Sequence, residues 1–293
     1  MTKDNSFGNE FERILVGLLA VATGAILIYL AVQGPLLLGA IRYKTAAVIH
    51  NQLIGQDLVN LFLLSVISIA GGIALWLKKP VAKYVLITTP LYLIYYVLSY
   101  TIGWEWSSLQ YTGNSEHYFF YFLFVLVAAL IVMLYTLSIF PSDRLSSFNK
   151  RGLAVYTALF VFFLLIFASM WVKEILEVMA TGTTRGYEIA PAAFWLVRVF
   201  DLGFTIPLGL LSVYLLWTRP ASSFPIQFMF YGFFCTMIVA VNAMGITMLI
   251  KKDPMFLWRD LAVFLILGLI VFAGFVYILK NYKKAENQKI LAK

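Results

Sequence analysis

Long apolar runs recur along this chain, and they constrain its fold more than any other feature. A scan with a window of about nineteen residues separates eight such runs. A helix needs about 20 residues, each rising about 1.5 Å, to cross about 30 Å of hydrocarbon. We therefore predict an all-α, polytopic transmembrane helix bundle with about eight spans, at residues 14–37, 58–77, 84–103, 118–140, 152–172, 194–217, 226–250 and 261–280.

The composition excludes a soluble protein. Of the 293 residues, 62% are hydrophobic and only 12% are charged, whereas a soluble domain carries roughly 25% charged residues. The predicted loops are too short for a separate soluble domain, so we expect residues 1–293 to form a single integral membrane domain. We attribute the net charge of +8 to cytoplasmic loops in contact with membrane lipids and not to nucleic acid.

The distribution of basic residues predicts the orientation, because Lys and Arg are enriched in cytoplasmic loops. Fourteen of the 22 Lys and Arg residues fall on the side with both termini, seven fall on the other side, and Arg198 falls within a span. Both termini are therefore expected in the cytoplasm. The outer loop at residues 251–260 departs from the rule, since it contains Lys251, Lys252 and Arg259.

The seven tryptophans all fall near predicted span ends, where an amphipathic ring is half wet. We interpret them as interfacial anchors. The predicted inner ends contain Trp76 and Trp217, and the predicted outer ends contain Trp104, Trp106, Trp171, Trp195 and Trp258.

The sixth predicted span contains the most informative polar residues. Arg198 and Asp201 are spaced i, i+3 and Thr205 follows four residues later, so all three share one helical face. A charge within hydrocarbon costs about 2.5 to 3.5 kcal/mol, so Asp201 needs a partner. One interpretation is an intrahelical ion pair that orients the helix. The other is an outward-open polar cavity in which Asp201 binds a cation or proton and Arg198 compensates the charge. Pro207 leaves the Gly203 carbonyl without its helical donor, and a kink there adds a further candidate ligand.

Further polar residues are predicted at a similar depth on other spans. The candidate ligand-binding set is completed by Asp57, Asn60, Tyr96, Glu174, Glu177 and Asn242. Each has an ordinary structural interpretation as well. Glu174 and Glu177 are typical of solvated helix-end charges, Asn242 of a hydrogen bond between helices, and the tyrosines of bundle packing.

The sequence indicates no catalytic group, metal site or cofactor. Cys235 is the single cysteine, and the two histidines, His50 and His117, both fall at predicted outer ends and not within spans, as haem held in a bundle normally requires. No phosphate-binding loop, zinc-protease motif or nucleophile elbow is present.

The stretch from Val199 to Arg219 resembles a segment of uncharacterised bacterial multispanning inner-membrane proteins. The shared features are an Asp-Leu-Gly at 201–203, Pro207 and the Leu-Leu-Trp at 215–217, followed here by Thr218 before Arg219. The resemblance continues through Ala-Val-Asn-Ala-Met at 240–244 and covers about a quarter of the chain. It implies a bacterial cytoplasmic-membrane location and singles out Asp201, and it supplies no activity.

Three functions remain open at this stage. The first is a membrane protein that binds a small solute or ion in the outward-facing polar cavity, for transport or sensing. The second is a membrane-embedded enzyme that uses the outer carboxylates on a lipid-linked substrate. The third is a structural partner subunit of a membrane complex, in which the charges serve assembly alone.

Overall fold

The computed structural model describes residues 7–103, 109–140, 146 and 148–291, and the regular structure within them is helical throughout. Eight helices there are long and apolar enough to cross a membrane, which confirms the predicted all-α, polytopic bundle. The last helix continues to Leu291. Trp104 and Trp106, which were predicted as anchors, lie outside the described residues. In chain order, the first to eighth spans are Glu10–Gln33, His50–Trp76, Ala82–Thr101, Ser115–Ser138, Lys150–Thr181, Pro191–Thr218, Phe224–Ile250 and Trp258–Tyr282.

Two spans extend well beyond their predicted ends, and both extensions bring a carboxylate into the bundle. The second span begins at His50 and not at residue 58, so Asp57 lies about two turns inside it. The fifth span ends at Thr181 and not at residue 172, so Glu174 lies about two turns before its end. A hydropathy window ends a span at such charges, whereas the folded chain gives each charge a partner and continues the helix.

Both described ends of the chain lie at one end of the bundle, which we call the terminal face. There the Tyr135 hydroxyl donates to the Phe7 carbonyl at 2.6 Å, and the Tyr282 hydroxyl donates to the Pro220 carbonyl at 2.7 Å. Short connections make consecutive spans antiparallel, so the connections after the first, third, fifth and seventh spans meet at the opposite end. We call this end the distal face.

Polar contacts join the connections of the distal face to one another. The Tyr111 hydroxyl donates to the Ile189 carbonyl at 2.7 Å. Ion pairs and hydrogen bonds add further links, so this face is covered by mutually bonded loops. These links are Lys44 with Glu116 at 2.9 Å, Asn51 with Asp253 at 2.7 Å and Arg185 with Asp260 at 3.2 Å.

Small residues let the first and second spans approach closely, as the spacings Ala20-x-x-x-Gly24 and Ser68-x-x-x-Gly72 indicate. A Cβ atom placed on Gly72 would lie 2.6 Å from the Gly17 carbonyl oxygen, and one on Gly24 would lie 2.8 Å from the Ser65 carbonyl oxygen. Substitution by alanine at either position would therefore push the two backbones apart. The spacing indicates packing within one bundle.

Two spans contain a π-helical turn, and each turn begins at a buried polar residue. The second span consists of the helix His50–Val59, the π turn Asn60–Leu64 and the helix Ser65–Trp76. The sixth consists of Pro191–Phe200, the π turn Asp201–Thr205 and Ile206–Thr218. The second π turn ends two residues before Pro207, where the missing N–H interrupts the regular ladder. π-Helical turns are frequent at functional sites.

Candidate functional site

A cavity of about 320 Å³ lies between the second, third, fifth, sixth, seventh and eighth spans. Nine of its 23 lining residues are aromatic, and Asp201 is the only charged one among them. The walls are therefore mainly aromatic and apolar, whereas the sequence predicts a polar cavity. The reason is that several of the predicted polar residues bond to neighbouring helices or loops and do not reach the cavity.

Asp201 projects into this cavity from the beginning of the π turn in the sixth span. Its exposed fraction is 6%. The Thr205 hydroxyl, which also lines the cavity, donates to the Asp201 Oδ1 atom over a long 3.4 Å. Within the part of the chain that the structure describes, the Asp201 carboxylate forms no ion pair.

The predicted ion pair between Arg198 and Asp201 is wrong. The Arg198 guanidinium instead forms a close ion pair with Glu174 of the fifth span. It also lies 4.3 Å from the ring centre of Trp171 and 3.7 Å from that of Phe194, where the ring faces attract a cation. These contacts hold the guanidinium outside the cavity wall, and the Asp201 carboxylate is left to face the cavity.

Three polar atoms on the cavity wall are buried without a well-formed hydrogen bond among the described residues. They are the Tyr96 hydroxyl, which lies beside Asn60, the Ser99 hydroxyl, which lies beside Tyr95, and the Trp171 indole nitrogen, which lies beside Asp201. Tyr96 was predicted as a site residue and lines the cavity, with an exposed fraction of 2%. Buried polar groups in folded proteins are normally bonded, so the wall offers unused hydrogen-bonding capacity.

Gln56 links the second and third spans beside the cavity. Its side-chain oxygen accepts from the Tyr92 hydroxyl at 2.7 Å, and its nitrogen donates to Asn60 at 2.9 Å. Gln56 and Tyr92 line the cavity, whereas Asn60 lies behind them. Asn60, which was predicted as a ligand residue, therefore supports the wall from the second layer.

Asp57 has a different role from the predicted one of a ligand at the mouth. Its exposed fraction is 1%, and its Oδ2 atom accepts the backbone N–H of Leu36 at 3.2 Å. Leu36 belongs to the connection after the first span. Asp57 does not line the cavity, so its carboxylate holds this connection against the second span.

Asn242 and Glu177 also lie outside the cavity wall. The Asn242 amide donates to the carbonyls of Ile238 at 2.8 Å and Phe264 at 3.1 Å, which joins the seventh span to the eighth. Glu177 is exposed and accepts from the Thr184 hydroxyl at 2.9 Å. The helix-packing interpretation of Asn242 and the solvated interpretation of Glu177 describe these contacts. Gly203 is exposed too, so it is no part of the cavity.

A second cavity of about 220 Å³ adjoins the first on the side of the distal face, and we call it the vestibule. The two cavities share Gln52, Val241, Met244 and Phe264 as lining residues. At its distal side the vestibule is lined by Arg185 and Asp260, whose ion pair joins the connection after the fifth span to the first turn of the eighth span. The vestibule therefore lies between the cavity and the loops of the distal face.

Sequence reasoning missed two site residues, Gln56 and Trp171. Gln56 lies before the predicted start of the second span, so it was assigned to a loop. Trp171 was interpreted as an anchor because the predicted fifth span ends at residue 172. The helix continues for ten residues beyond Trp171, and the indole contacts Arg198 and lines the cavity.

The described residues contain no group of three or more His, Cys, Asp or Glu side chains that could hold a metal ion. No family model, curated protein or solved structure matches the chain. The site is therefore interpreted from its own geometry.

Proposed function

We propose that this multispanning membrane protein binds a small solute in the Asp201 cavity, for transport or for sensing. One observation carries the proposal: a buried carboxylate faces a cavity within the bundle and has no cation partner among the described residues. A buried unpaired charge costs several kcal/mol. A carboxylate of this kind is therefore expected within a membrane span where it interacts with a ligand that comes from outside the bundle.

Access from the distal face is part of the proposal. The vestibule supports it, because the two cavities share four lining residues and the vestibule reaches Arg185 and Asp260 near the distal face. Toward the terminal face, Leu164, Phe230 and Tyr231 are at most 1% exposed and fill the core. This asymmetry favours loading from one side of the membrane.

The proposed location is the bacterial cytoplasmic membrane, with both termini in the cytoplasm and the distal face outward. The excess of Lys and Arg on the side of the termini supports this orientation. The resemblance around Asp201 to bacterial inner-membrane proteins supports the location. Under this orientation the vestibule opens toward the periplasm.

A lipid-modifying enzyme receives less support from the geometry. Its candidate carboxylates bond to three separate partners: Asp57 to Leu36, Glu174 to Arg198 and Glu177 to Thr184. A pair of carboxylates that shared one substrate would have to converge, and these do not.

Cysteine accessibility tests whether the cavity admits a solute. In the full chain with Cys235→Ser, Ser99→Cys places a thiol on the cavity wall. Methyl methanethiosulfonate, a small neutral reagent, is added to the protein in nanodiscs, and the labelling rate is followed by mass spectrometry. We expect Ser99→Cys to react readily, at a rate approaching that of an exposed loop reference, Glu188→Cys.

Ser212→Cys is the matched control, because Ser212 is fully buried in the sixth span and bonded to Gln227 outside the cavity. It should remain largely unlabelled. If Ser99→Cys reacts as slowly as Ser212→Cys, the cavity admits no solute and the proposal is wrong. Uptake of a bound solute into proteoliposomes then separates transport from sensing.

A further inference from the structure

Resting on this proposed function, we infer that the ligand of the Asp201 cavity is a small organic cation: an amine with an aromatic or branched apolar substituent. A metal ion or a polar solute such as a sugar fits the cavity less well. Three properties of the wall lead to this class: its charge, its aromatic content and its size.

The charge of the cavity wall favours a cationic ligand. Asp201 is the only charged residue among the lining side chains. The nearest cation, Arg198, is bound by Glu174 and flanked by Trp171 and Phe194. An ammonium group beside Asp201 would gain a desolvated ion pair, and loss of one member of such a pair weakens binding strongly. An anionic ligand would meet an uncompensated carboxylate.

The aromatic content favours an organic cation over a bare metal ion. Tyr95 and Trp171 line the cavity together with Asp201, and ring faces stabilise amines and quaternary ammonium groups through their quadrupoles. A metal ion prefers several oxygen ligands, and here the second oxygen close to the carboxylate is the Thr205 hydroxyl. The Ser99 and Tyr96 hydroxyls on the wall can accept a second ammonium hydrogen or bond to a polar substituent.

The rest of the wall fits the apolar part of such a molecule. On the seventh and eighth spans the lining consists of aliphatic, methionine and phenylalanine side chains, including Met237, Met244, Phe264 and Leu267. Flexible methionines adapt to ligands of varied shape. A volume of about 320 Å³ lies near the lower end of small-molecule sites, which hold about 300–1,000 Å³. The ligand is therefore small, and its charge lies at one end.

A series of probes with the same ring tests this inference. Phenethylamine is cationic, 2-phenylethanol is neutral and phenylacetate is anionic, and all three have similar apolar parts. Binding to the purified full chain is followed by tryptophan fluorescence and by thermal unfolding. We expect phenethylamine to bind about tenfold or more tightly than the other two probes, a difference of about 1.4 kcal/mol.

Two variants assign the charge preference to one carboxylate. Asp201→Asn should abolish the preference, and Asp201→Glu should retain part of it, because the charge remains. Glu177→Gln is the matched control: it removes an exposed acidic charge outside the cavity and should leave all three affinities unchanged. The thermal unfolding curves of the free variants show that each one is folded.

The outcomes separate the ligand class from the proposed function. If the alcohol or the phenylacetate binds as well as the amine, the inference of a cationic ligand is wrong. The same holds if none of the three probes binds while Ser99→Cys is still labelled. In both cases the proposal of a solute-binding cavity is retained. If Ser99→Cys is unlabelled and no probe binds, the proposed function is wrong as well.

Discussion

Two buried aspartates in this bundle share almost every local property and differ in what they face. Asp57 precedes the π turn of the second span by three residues, and Asp201 begins the π turn of the sixth. Their exposed fractions are 1% and 6%. Asp57 accepts a backbone N–H from the connection after the first span, whereas Asp201 faces a cavity and receives one long hydrogen bond from Thr205.

The comparison teaches that burial of a carboxylate within a span does not identify a binding site. The informative property is whether the protein itself satisfies the group. Leu36 supplies Asp57 with a donor, so its charge stabilises the fold. Asp201 receives the Thr205 hydroxyl over 3.4 Å, has the Trp171 indole beside it and has no cation partner among the described residues; under our proposal its charge interacts with a ligand. Loss of the carboxylate should therefore have opposite effects at the two positions.

The largest expected effect is the loss of cation binding in Asp201→Asn. The amide keeps the size of the side chain and removes the charge, so we expect the affinity for phenethylamine to fall about 30-fold, or about 2 kcal/mol. Because an unpaired buried charge is removed, the stability of the free protein should stay the same or rise. Fluorescence titration and unfolding in mixed detergent–SDS micelles measure the two quantities. A loss of stability without a loss of affinity would place Asp201 in the structural class of Asp57.

Asp57→Ala should produce the reverse pattern. It leaves the half-buried N–H of Leu36 without its charged acceptor, so we expect a loss of about 1.5–3 kcal/mol in unfolding free energy. The preference for phenethylamine over phenylacetate should survive under folded conditions, since Asp57 does not line the cavity. The same SDS unfolding series measures the stability. A preference lost together with Asp57 would contradict the division of roles.

Glu174→Gln tests whether Arg198 is held away from Asp201. With its ion pair removed, the guanidinium is free to approach the Asp201 carboxylate and compete with a ligand cation. We expect phenethylamine affinity to fall about fivefold, or about 1 kcal/mol. The double variant Glu174→Gln, Arg198→Gln should restore it, because the competing cation is gone. Equal affinities in the single and double variants would show that Arg198 does not compete.

Asn242→Ala should have the smallest effect. It removes the amide that joins the seventh and eighth spans, and such hydrogen bonds between membrane helices are worth about 0.6 kcal/mol on average. We expect a loss of this size in the SDS unfolding series and unchanged probe affinities. A large loss of affinity would show that Asn242 contributes to ligand binding, although its contacts lie outside the cavity.

Hydropathy was sufficient to predict the number of spans, because apolar length is a local property of the sequence. The ends of the second and fifth spans were missed, since Asp57 and Glu174 are tolerated inside helices only through partners on other elements. Helical spacing correctly placed Thr205 beside Asp201. It also suggested Arg198 as the partner of Asp201, because spacing along one helix contains no information about Glu174 on a neighbouring span.

The aromatic lining of the cavity could likewise not be predicted from the sequence. Nearly every span contains Phe, Tyr or Trp, and the ones that meet around Asp201 are selected by the packing of six helices. Trp171 illustrates this: its position near a predicted span end is typical of an anchor, and only the continuation of the fifth span to Thr181 brings the ring into the bundle.

The most direct test of the account is an experimental structure with 4-bromophenethylamine bound. We expect bromine density inside the cavity between the second, sixth and seventh spans, and an amine nitrogen about 2.7–3.2 Å from an Asp201 carboxylate oxygen. Bromine outside this cavity, or an amine that points away from Asp201 while Arg198 occupies its place, would contradict the account.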